Sequence, residues 1–327
     1  MVNSSISTGS NPAQGARKEA LKLMSTATVV KIGEHELEVG GRYLGELRDA
    51  NELLDDMPML RMRMVEDGYL LLRGLQKRSN IETARRMILE NMTKSDQLSE
   101  GHPLMDAVAK PGAKGVILGG AKALTHTPEF LSVVDSPEIM GFFGRFFNEP
   151  ALTFDYKWLR TVVPGDNTGA HYDVVYMGRG SERLYTCWTP LSDVNLEQGP
   201  LAILVGSHNL PSFKKIRDTY GRMDVDRDKV QGTFSNNPVE MCARFGGRWA
   251  TTEFQMGDVL IFGMFTMHCS INNQTNRFRI SCDTRYQPAA DSIDERWMGK
   301  KPIMHSANNS PGKRPKSMVE ARIEWGV

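Results

Sequence analysis

The sequence holds few cysteines, and they stand far apart. Its 327 residues include four, and no two of them form a Cys-x-x-Cys pair: Cys187, Cys242, Cys269 and Cys282. A zinc ribbon or a disulfide framework is therefore not expected. Four isolated thiols fit a reducing compartment best, and we predict a cytoplasmic protein.

Long apolar runs and a strong net charge are also missing. No stretch is apolar for long enough to span a bilayer, and residues 1–24 lack the apolar centre of a secretory signal. Their serine-rich, acid-poor start leaves a transit peptide as the alternative. The formal net charge is +1, so no long-range field favours nucleic acid or a membrane surface as a partner.

Composition divides the chain into an extension, one main domain and a tail. Residues 1–45 are read as a polar N-terminal extension, partly disordered, with a small hairpin where VVKIGEHELEV alternates around a glycine. Residues 46–290 are expected to form a single domain, and residues 291–327 a polar, loop-like C-terminal tail. We find no internal repeat.

The first part of the main domain has helical patterns. One runs from Tyr43 and closes at Gly68, and a second covers residues 80–92 with Asn80 as its cap. A third, SPEIMGFFGRFFNEP, opens with a serine cap followed by a proline. These patterns predict helices that precede the strands.

From residue 150 to about residue 288, the chain changes to short strands separated by Gly, Pro, Asn and Asp turns. Within this range, the charged and irregular residues 211–250 are read as an insertion. The Gly- and Ala-rich residues 100–125 are read as a loop or lid. Helices followed by many short strands predict an α+β protein with a mainly β core, built as a sandwich or barrel.

His171 and Asp173 stand one residue apart in the stretch GAHYDVVYMGRG. In a strand, residues two apart point to the same face, so both side chains would project together. One imidazole nitrogen and one carboxylate oxygen supply two ligands for a divalent metal. Such a pair also arises by chance on a half-exposed strand, and on these two residues alone the two interpretations are equally good.

A third metal ligand is available at His268. It lies near the end of an almost uniformly apolar strand, GDVLIFGMFTMHCSI, where a buried imidazole needs a polar partner. Two histidines and one carboxylate form the facial triad of non-haem Fe(II) oxygenases, which leaves coordination positions open. A bidentate co-substrate and O2 need those positions.

Four polar side chains share one face of the strand RFRISCDTRYQP: Arg279, Ser281, Asp283 and Arg285. In an apolar region they are costly unless they line a wet or ligand-filled cavity. Arg279 lies eleven residues after His268 and suits a buried carboxylate, which it can bind through paired hydrogen bonds. Ser270 shares a strand face with His268 and adds a hydroxyl donor for the same carboxylate.

Together these features resemble the phytanoyl-CoA dioxygenase family of Fe(II)- and 2-oxoglutarate-dependent oxygenases. That family combines an HxD pair with a distal histidine and a following arginine, as HYD, His268 and Arg279 do here. Three segments are similar to family segments: EDGYLLLRGLQKRSNIETARRM, WTPLSDVNLEQGPLAILVGSH and MGDVLIFGMFTMHCS. The resemblance covers roughly residues 60–290, and one departure is Val205, where the family usually has proline.

The resemblance implies a double-stranded β-helix, a jelly roll of the cupin kind, with N-terminal helices packed on it. It implies Fe(II) held by His171, Asp173 and His268, with O2 as a substrate. It also implies that 2-oxoglutarate chelates the iron and places its far carboxylate on Arg279 and Ser270. It places Thr186 and Trp188 in the co-substrate pocket. Tyr156 and Trp158 precede the first ligand strand and are read either as walls of the substrate pocket or as core residues, and Arg285 is a candidate substrate contact.

The implied reaction is hydroxylation of an unactivated C–H bond of a small-molecule substrate, with release of succinate and CO2. Desaturation, epoxidation and ring closure stay open, as do the substrate and a homo-oligomeric state. Two alternatives remain: a cupin-like metal-dependent isomerase or hydrolase without 2-oxoglutarate, and a non-catalytic ligand-binding protein of the same fold. Arg285 has two equal interpretations, a substrate contact and an ion pair with Asp283, and His208 is read as structural.

Overall fold

The computed structural model describes residues 28–119, 122–305 and 315–327 of the chain. Their strands, in chain order, are β1 (Val29–Ile32), β2 (His35–Glu38), β3 (Leu44–Glu46), β4 (Tyr69–Leu72), β5 (Val116–Gly119), β6 (Ala151–Thr153), β7 (Trp158–Val162), β8 (Tyr185–Pro190), β9 (Leu201–Val205), β10 (Arg248–Thr251), β11 (Val259–Gly263), β12 (His268–Ser270) and β13 (Arg279–Pro288). Their α-helices are α1 (Met57–Asp67), α2 (Arg78–Lys94), α3 (Lys122–Thr125), α4 (Pro128–Val134), α5 (Pro137–Phe147), α6 (Val174–Met177), α7 (Lys214–Asp218), α8 (Val225–Asp228), α9 (Pro238–Phe245) and α10 (Met318–Trp325). None of these helices is long and apolar enough to cross a membrane.

Two sheets face each other and form the core. The larger has the strand order β4-β11-β8-β13-β7-β5, with β6 beside β13, and the smaller has the order β12-β9-β10-β3. Their pairings are antiparallel except that of β10 with β3. One apolar cluster joins the sheets, since Trp188 and Phe262 of the larger meet Leu201 and Ile203 of the smaller. The predicted double-stranded β-helix with a mainly β core is confirmed.

Strand β13 shows how alternation in the sequence builds a polar cavity. Its residues Ile280 and Cys282 pack outward in a cluster with α2. Its residues Arg279, Asp283 and Arg285 line a cavity between the sheets. The alternation predicted for this strand is therefore confirmed, and its charged face points into the protein.

Helices cover the outer face of the larger sheet. Ile88 of α2 packs in one cluster with Ile280 of β13. The ring of Phe143 in α5 stacks on Tyr286 of β13, with 4.2 Å between the ring centroids. The predicted packing of N-terminal helices on the β core is thus confirmed.

The helix predicted from Tyr43 begins much later, at Met57. Residues Leu44–Glu46 form a strand instead and pair in parallel with β10. Asp56 caps α1, because its side chain accepts a hydrogen bond from the backbone N–H of Met59 at 3.0 Å. The local helical pattern is overridden by a sheet pairing with a distant part of the chain.

The other two predicted caps have different outcomes. Ser136 caps α5 by accepting a hydrogen bond from the backbone N–H of Ile139 at 3.3 Å, and Pro137 follows it, as predicted. The Asn80 cap is wrong, because α2 has already begun at that residue. The Asn80 amide instead donates to the carbonyl oxygen of Ser132 at 3.0 Å, which ties α2 to α4.

Several regions expected to be irregular contain regular structure. The segment VVKIGEHELEV forms the predicted hairpin β1–β2, and the disorder predicted at the start falls on residues 1–27, outside the described residues. Strand β10 lies at the end of residues 211–250, so this end belongs to the smaller sheet and not to an insertion. Strand β5 lies within residues 100–125, and α10 within the predicted tail. The division into extension, domain and tail stays a prediction.

Gly68 closes α1 as predicted, and its surroundings allow a stability prediction. Its φ is +79°, and an added Cβ would lie 2.4 Å from Nδ1 of His208, whose Nε2 contacts the carbonyl oxygen of Val65 at 2.8 Å. Gly74 also has a positive φ, of +63°, but open space around it. We expect Gly74→Ala to lower the free energy of unfolding by about 1–2 kcal/mol, and Gly68→Ala to lower it by clearly more, in urea unfolding. Equal losses would show that the His208 ring moves away at no cost.

Candidate metal centre and co-substrate pocket

The two histidines of the predicted triad are brought together by a short backbone bridge. The N–H of His171 donates to the carbonyl oxygen of His268 at 3.0 Å, and the reverse bond measures 3.1 Å. Asp173 does not continue this bridge, because it stands at the N-terminus of α6 with helical φ and ψ. The strand predicted over the HxD pair is therefore only a bridge at His171, and a helix start directs the carboxylate.

The three side chains converge on one buried point. Oδ1 of Asp173 lies 3.8 Å from Nε2 of His171 and 3.9 Å from Nε2 of His268. One possible ligand atom from each residue lies within 4.8 Å of the others. A divalent cation among these atoms would reach all three, so the geometry fits a metal site of two imidazoles and one carboxylate.

Backbone contacts fix which imidazole nitrogen faces that point. Nδ1 of His171 lies 2.8 Å from the carbonyl oxygen of Gly169, and Nδ1 of His268 lies 3.0 Å from that of Thr266. A carbonyl oxygen only accepts, so each Nδ1 carries the proton. Each Nε2 is then left with a lone pair, as a metal ligand requires.

Electrostatics favour the ligand form of all three groups. Burial, together with the neighbouring His268, lowers the pKa of His171 to about 3, and burial also lowers the pKa of His268. Burial alone would raise the pKa of Asp173, but Arg285 and the two imidazoles bring it well below its usual range. At neutral pH the site therefore holds two neutral imidazoles and one carboxylate.

These shifts predict how the metal-free protein responds to pH. The pKa of His171 is about 3 in the folded protein and 6.5 ordinarily, so between these values the unfolded chain binds more protons. The free energy of unfolding should therefore fall as the pH falls below about 6.5, by about 1.4 kcal/mol per pH unit for one such histidine. Urea unfolding of chelator-treated protein at several pH values measures this. In His171→Gln, the free energy of unfolding should depend less steeply on pH than in the unaltered protein. An equally steep dependence would show that the His171 imidazole does not cause it.

The second oxygen of Asp173 is held by two side chains. Oδ2 accepts hydrogen bonds from the hydroxyl of Thr186 and, at 3.1 Å, from Nη2 of Arg285. Thr186 was expected to line the co-substrate pocket, and Arg285 to contact substrate or the Asp283 carboxylate. Arg285 reaches Asp283 only at its backbone carbonyl oxygen, at 3.3 Å. Both residues orient Asp173 so that Oδ1 faces the histidines.

Arg279 lies in the same cavity without an acidic partner. Its side chain is almost fully buried, at 1% exposure, and Nη1 donates to Oγ of Ser281 at 2.8 Å. Nε has no hydrogen-bond partner, and burial lowers the pKa of this guanidinium to about 10. No acidic side chain of the described residues forms an ion pair with it. Since a buried guanidinium without an anion is costly, the site fits an incoming carboxylate.

Trp188 lines this cavity, and Ser270 is bonded to Thr168, another of its lining residues. The Trp188 ring centroid is 5.8 Å from Cζ of Arg279, and its buried Nε1 has no hydrogen-bond partner. Oγ of Ser270 accepts a hydrogen bond from the backbone N–H of Thr168 at 2.8 Å. The cavity between the sheets is also lined by Thr168, Thr186 and both histidines. This cavity therefore connects the metal-binding point with the guanidinium of Arg279.

An aromatic cluster lies where substrate residues were expected. The ring centroids of Tyr156 and Trp158 are 4.4 Å apart, and those of Trp158 and Trp297 are 4.9 Å apart. Cζ of Arg285 lies 4.3 Å from the Trp158 ring centroid. Sequence reasoning missed Trp297, which lies in the predicted tail outside any motif. It also missed Arg160, although alternation along β7 places this residue on the same face as Trp158.

Comparison with protein families decides between the remaining functional classes. The profile of the phytanoyl-CoA dioxygenase (PhyH) family matches residues 64–281. The chain belongs to this family. A PhyH protein with a buried His-Asp-His cluster is an Fe(II)- and 2-oxoglutarate-dependent oxygenase. The isomerase, hydrolase and binding-protein alternatives are set aside.

Individual relatives of this PhyH protein agree with the family match. It is 26% identical to 1-deoxypentalenic acid 11-beta-hydroxylase of Streptomyces arenae over 74% of this chain and 85% of the relative. Two similar solved structures come from nogalamycin biosynthesis, and they are related in fold. The alpha-ketoglutarate-dependent carbocyclase SnoK is 18% identical with a TM-score of 0.53, covering 82% of this chain and 96% of its own. The epimerase SnoN, with Fe3+ and alpha-ketoglutarate, is 15% identical with a TM-score of 0.52, covering 80% and 95%.

Proposed function

We propose that this chain hydroxylates an unactivated C–H bond of a small-molecule substrate. His171, Asp173 and His268 would hold Fe(II), and Arg279 would bind the far carboxylate of 2-oxoglutarate. One observation carries this proposal: a buried cluster of two Nε2 atoms and one Oδ1 shares a cavity with a buried guanidinium that has no acidic partner. When bound, the iron, 2-oxoglutarate and O2 supply the oxidising power, with succinate and CO2 as the co-products.

The protein residues have distinct tasks in this proposal. The Nδ1 contacts of His171 and His268 with backbone carbonyls keep both rings aimed at the metal. Thr186 and Arg285 keep Oδ1 of Asp173 aimed at it as well. Oγ of Ser270 accepts from a backbone N–H, so its own proton is available for the far carboxylate of 2-oxoglutarate. Trp188 would form one wall of the pocket for 2-oxoglutarate.

The aromatic cluster of Tyr156, Trp158 and Trp297 supports a substrate position beside these rings. Tyr156 and Trp158 are largely buried, so they would exclude water from the reacting C–H bond.

The curated relative is named as a hydroxylase, which favours hydroxylation. The solved neighbours are named as a carbocyclase and an epimerase, and the position of the substrate would decide between such outcomes. A cytoplasmic location and a homo-oligomer stay predictions.

An anaerobic titration tests the proposal. Metal-free protein would receive Fe(II) and then 2-oxoglutarate, while the visible charge-transfer band of their chelate is recorded. We expect a band that saturates at one equivalent of each, because the cavity holds one ligand cluster and one guanidinium without an acidic partner. Iron binding without the band would contradict the co-substrate pocket. Succinate formation in air, with 2-oxoglutarate as the limiting reagent, gives the independent check.

A further inference from the structure

Arg160 is a charged residue of the cavity that the proposed function does not use. It lies on β7, lines the cavity with both histidines, and keeps 18% of its side chain exposed. Its Nε donates to the carboxylate of Asp283. None of the residues that the structure describes accepts a hydrogen bond from its two Nη atoms. Half of this guanidinium is therefore available to a ligand.

The two other guanidiniums of the cavity already have roles in the proposed function. Arg285 donates to Asp173 and to the backbone of Asp283. Arg279 is almost fully buried and donates to Ser281, and it serves 2-oxoglutarate in the proposed function. Arg160 is the most exposed of the three side chains, so it is the most accessible to an incoming ligand.

The charges of the cavity favour one more anion. Three guanidiniums stand against two carboxylates, those of Asp173 and Asp283, and imidazoles that bind a metal through Nε2 carry no charge. This leaves one positive charge in excess. A divalent metal and the dianion 2-oxoglutarate cancel each other, so the excess persists in the loaded site. A buried excess charge is costly, and a substrate with one negative charge would balance it.

An apolar and aromatic cluster begins on the same strand face as Arg160. Trp158 lies two residues before it on the same strand face, in the cluster with Tyr156 and Trp297. This cluster also contains Met177 and Met264. A ligand that reaches the free edge of Arg160 would therefore place the rest of its body against aromatic rings and thioethers, which favour a hydrocarbon skeleton.

We propose that the substrate is a monocarboxylic acid with an apolar skeleton, and that Arg160 binds its carboxylate. This inference rests on the proposed function, because it names the substrate class of the same site. The carboxylate is recognised by paired N–H donors, and the aromatic cluster packs against the skeleton. Asp283 is a positioning residue, since its carboxylate holds Nε of Arg160 and leaves the two Nη atoms for the substrate carboxylate.

Binding of matched acids and esters tests this proposal. The probes are decanoic acid, adamantanecarboxylic acid and 1-deoxypentalenic acid, each with its methyl ester. Their dissociation constants are measured anaerobically, from the change that each probe causes in the charge-transfer band of the Fe(II)–2-oxoglutarate protein. We expect the best acid to bind about tenfold or more tightly than its ester. If no acid is preferred over its ester, the proposal is overturned while the band itself still supports the proposed function.

Variants separate Arg160 from the rest of the site. Arg160→Gln should remove the preference for the acid and leave the dissociation constant of 2-oxoglutarate unchanged. Because this change leaves the buried Asp283 unpaired, the double variant Arg160→Gln with Asp283→Asn is measured as well. Arg183→Gln is the control, because it removes an arginine that is 52% exposed and paired with Asp291 at the surface. It should keep the preference.

Three results distinguish the alternatives. A retained acid preference in both folded Arg160 variants would overturn the role of Arg160. A weaker 2-oxoglutarate affinity with an unchanged acid preference would assign Arg160 to the co-substrate and overturn the proposal too. Absence of the charge-transfer band in the unaltered protein would contradict the proposed function itself, before any acid is added.

Discussion

Replacing His171 by alanine is expected to abolish stable Fe(II) binding and, with it, turnover. The imidazole supplies one of three ligand atoms that lie within 4.8 Å of one another, and the two remaining ligands would hold a divalent cation much more weakly against water. Loss of a residue that merely orients a ligand costs about 10–100-fold in metal affinity, so loss of a ligand should exceed about 100-fold. Equilibrium dialysis with Fe(II) under argon measures the affinity directly.

The control for this change is His102→Ala, because His102 is exposed and lies outside the cluster. It should retain one equivalent of iron. Thermal unfolding of both metal-free variants shows whether each is folded, since His171→Ala leaves the carbonyl oxygen of Gly169 without its imidazole partner. A folded His171→Ala protein that still binds one equivalent tightly would remove His171 from the ligand set.

Sequence patterns predicted which candidate residues lie together better than they predicted the contacts among them. Alternation along one strand was enough to place Arg279, Asp283 and Arg285 on a common face, because a strand has a fixed period of two. It could not predict that Arg285 binds Asp173, because this contact requires β13 and the start of α6 to meet across the cavity. Thr186 bonds to Asp173 for the same reason.

Long-range packing also explains the other differences between the predicted elements and the structure. The helical pattern after Tyr43 was overridden because β3 pairs with β10, which lies far along the chain. Trp297 joins the aromatic cluster from a segment without periodicity or motif. Sequence patterns report local geometry, whereas these features depend on which distant segments become neighbours. Sequence reasoning overlooked Arg160 because this residue belongs to none of the motifs considered, although the alternation along its strand places it on the same face as Trp158.

Replacing Arg279 by alanine is expected to raise the dissociation constant of 2-oxoglutarate by at least about 30-fold. In the unaltered protein, this buried guanidinium would bind the far carboxylate through charge-assisted hydrogen bonds, and truncating one partner of a buried charge pair costs about 2–5 kcal/mol. Titration of the charge-transfer band gives the constant without turnover. Iron binding itself should change little, because Arg279 donates to Ser281 and not to the His-Asp-His cluster.

An analogue without the far carboxylate makes this test specific. Unaltered protein should bind 2-oxoglutarate much more tightly than 2-oxopentanoate, which has the same chain length and the same chelating end. In Arg279→Ala the two compounds should bind about equally, because the group that tells them apart is gone. Arg279→Lys should keep part of the preference, since an ammonium retains the charge but not the paired geometry. If Arg279→Ala discriminates as well as the unaltered protein, the far carboxylate lies elsewhere, and Arg160 becomes the next guanidinium to test for it.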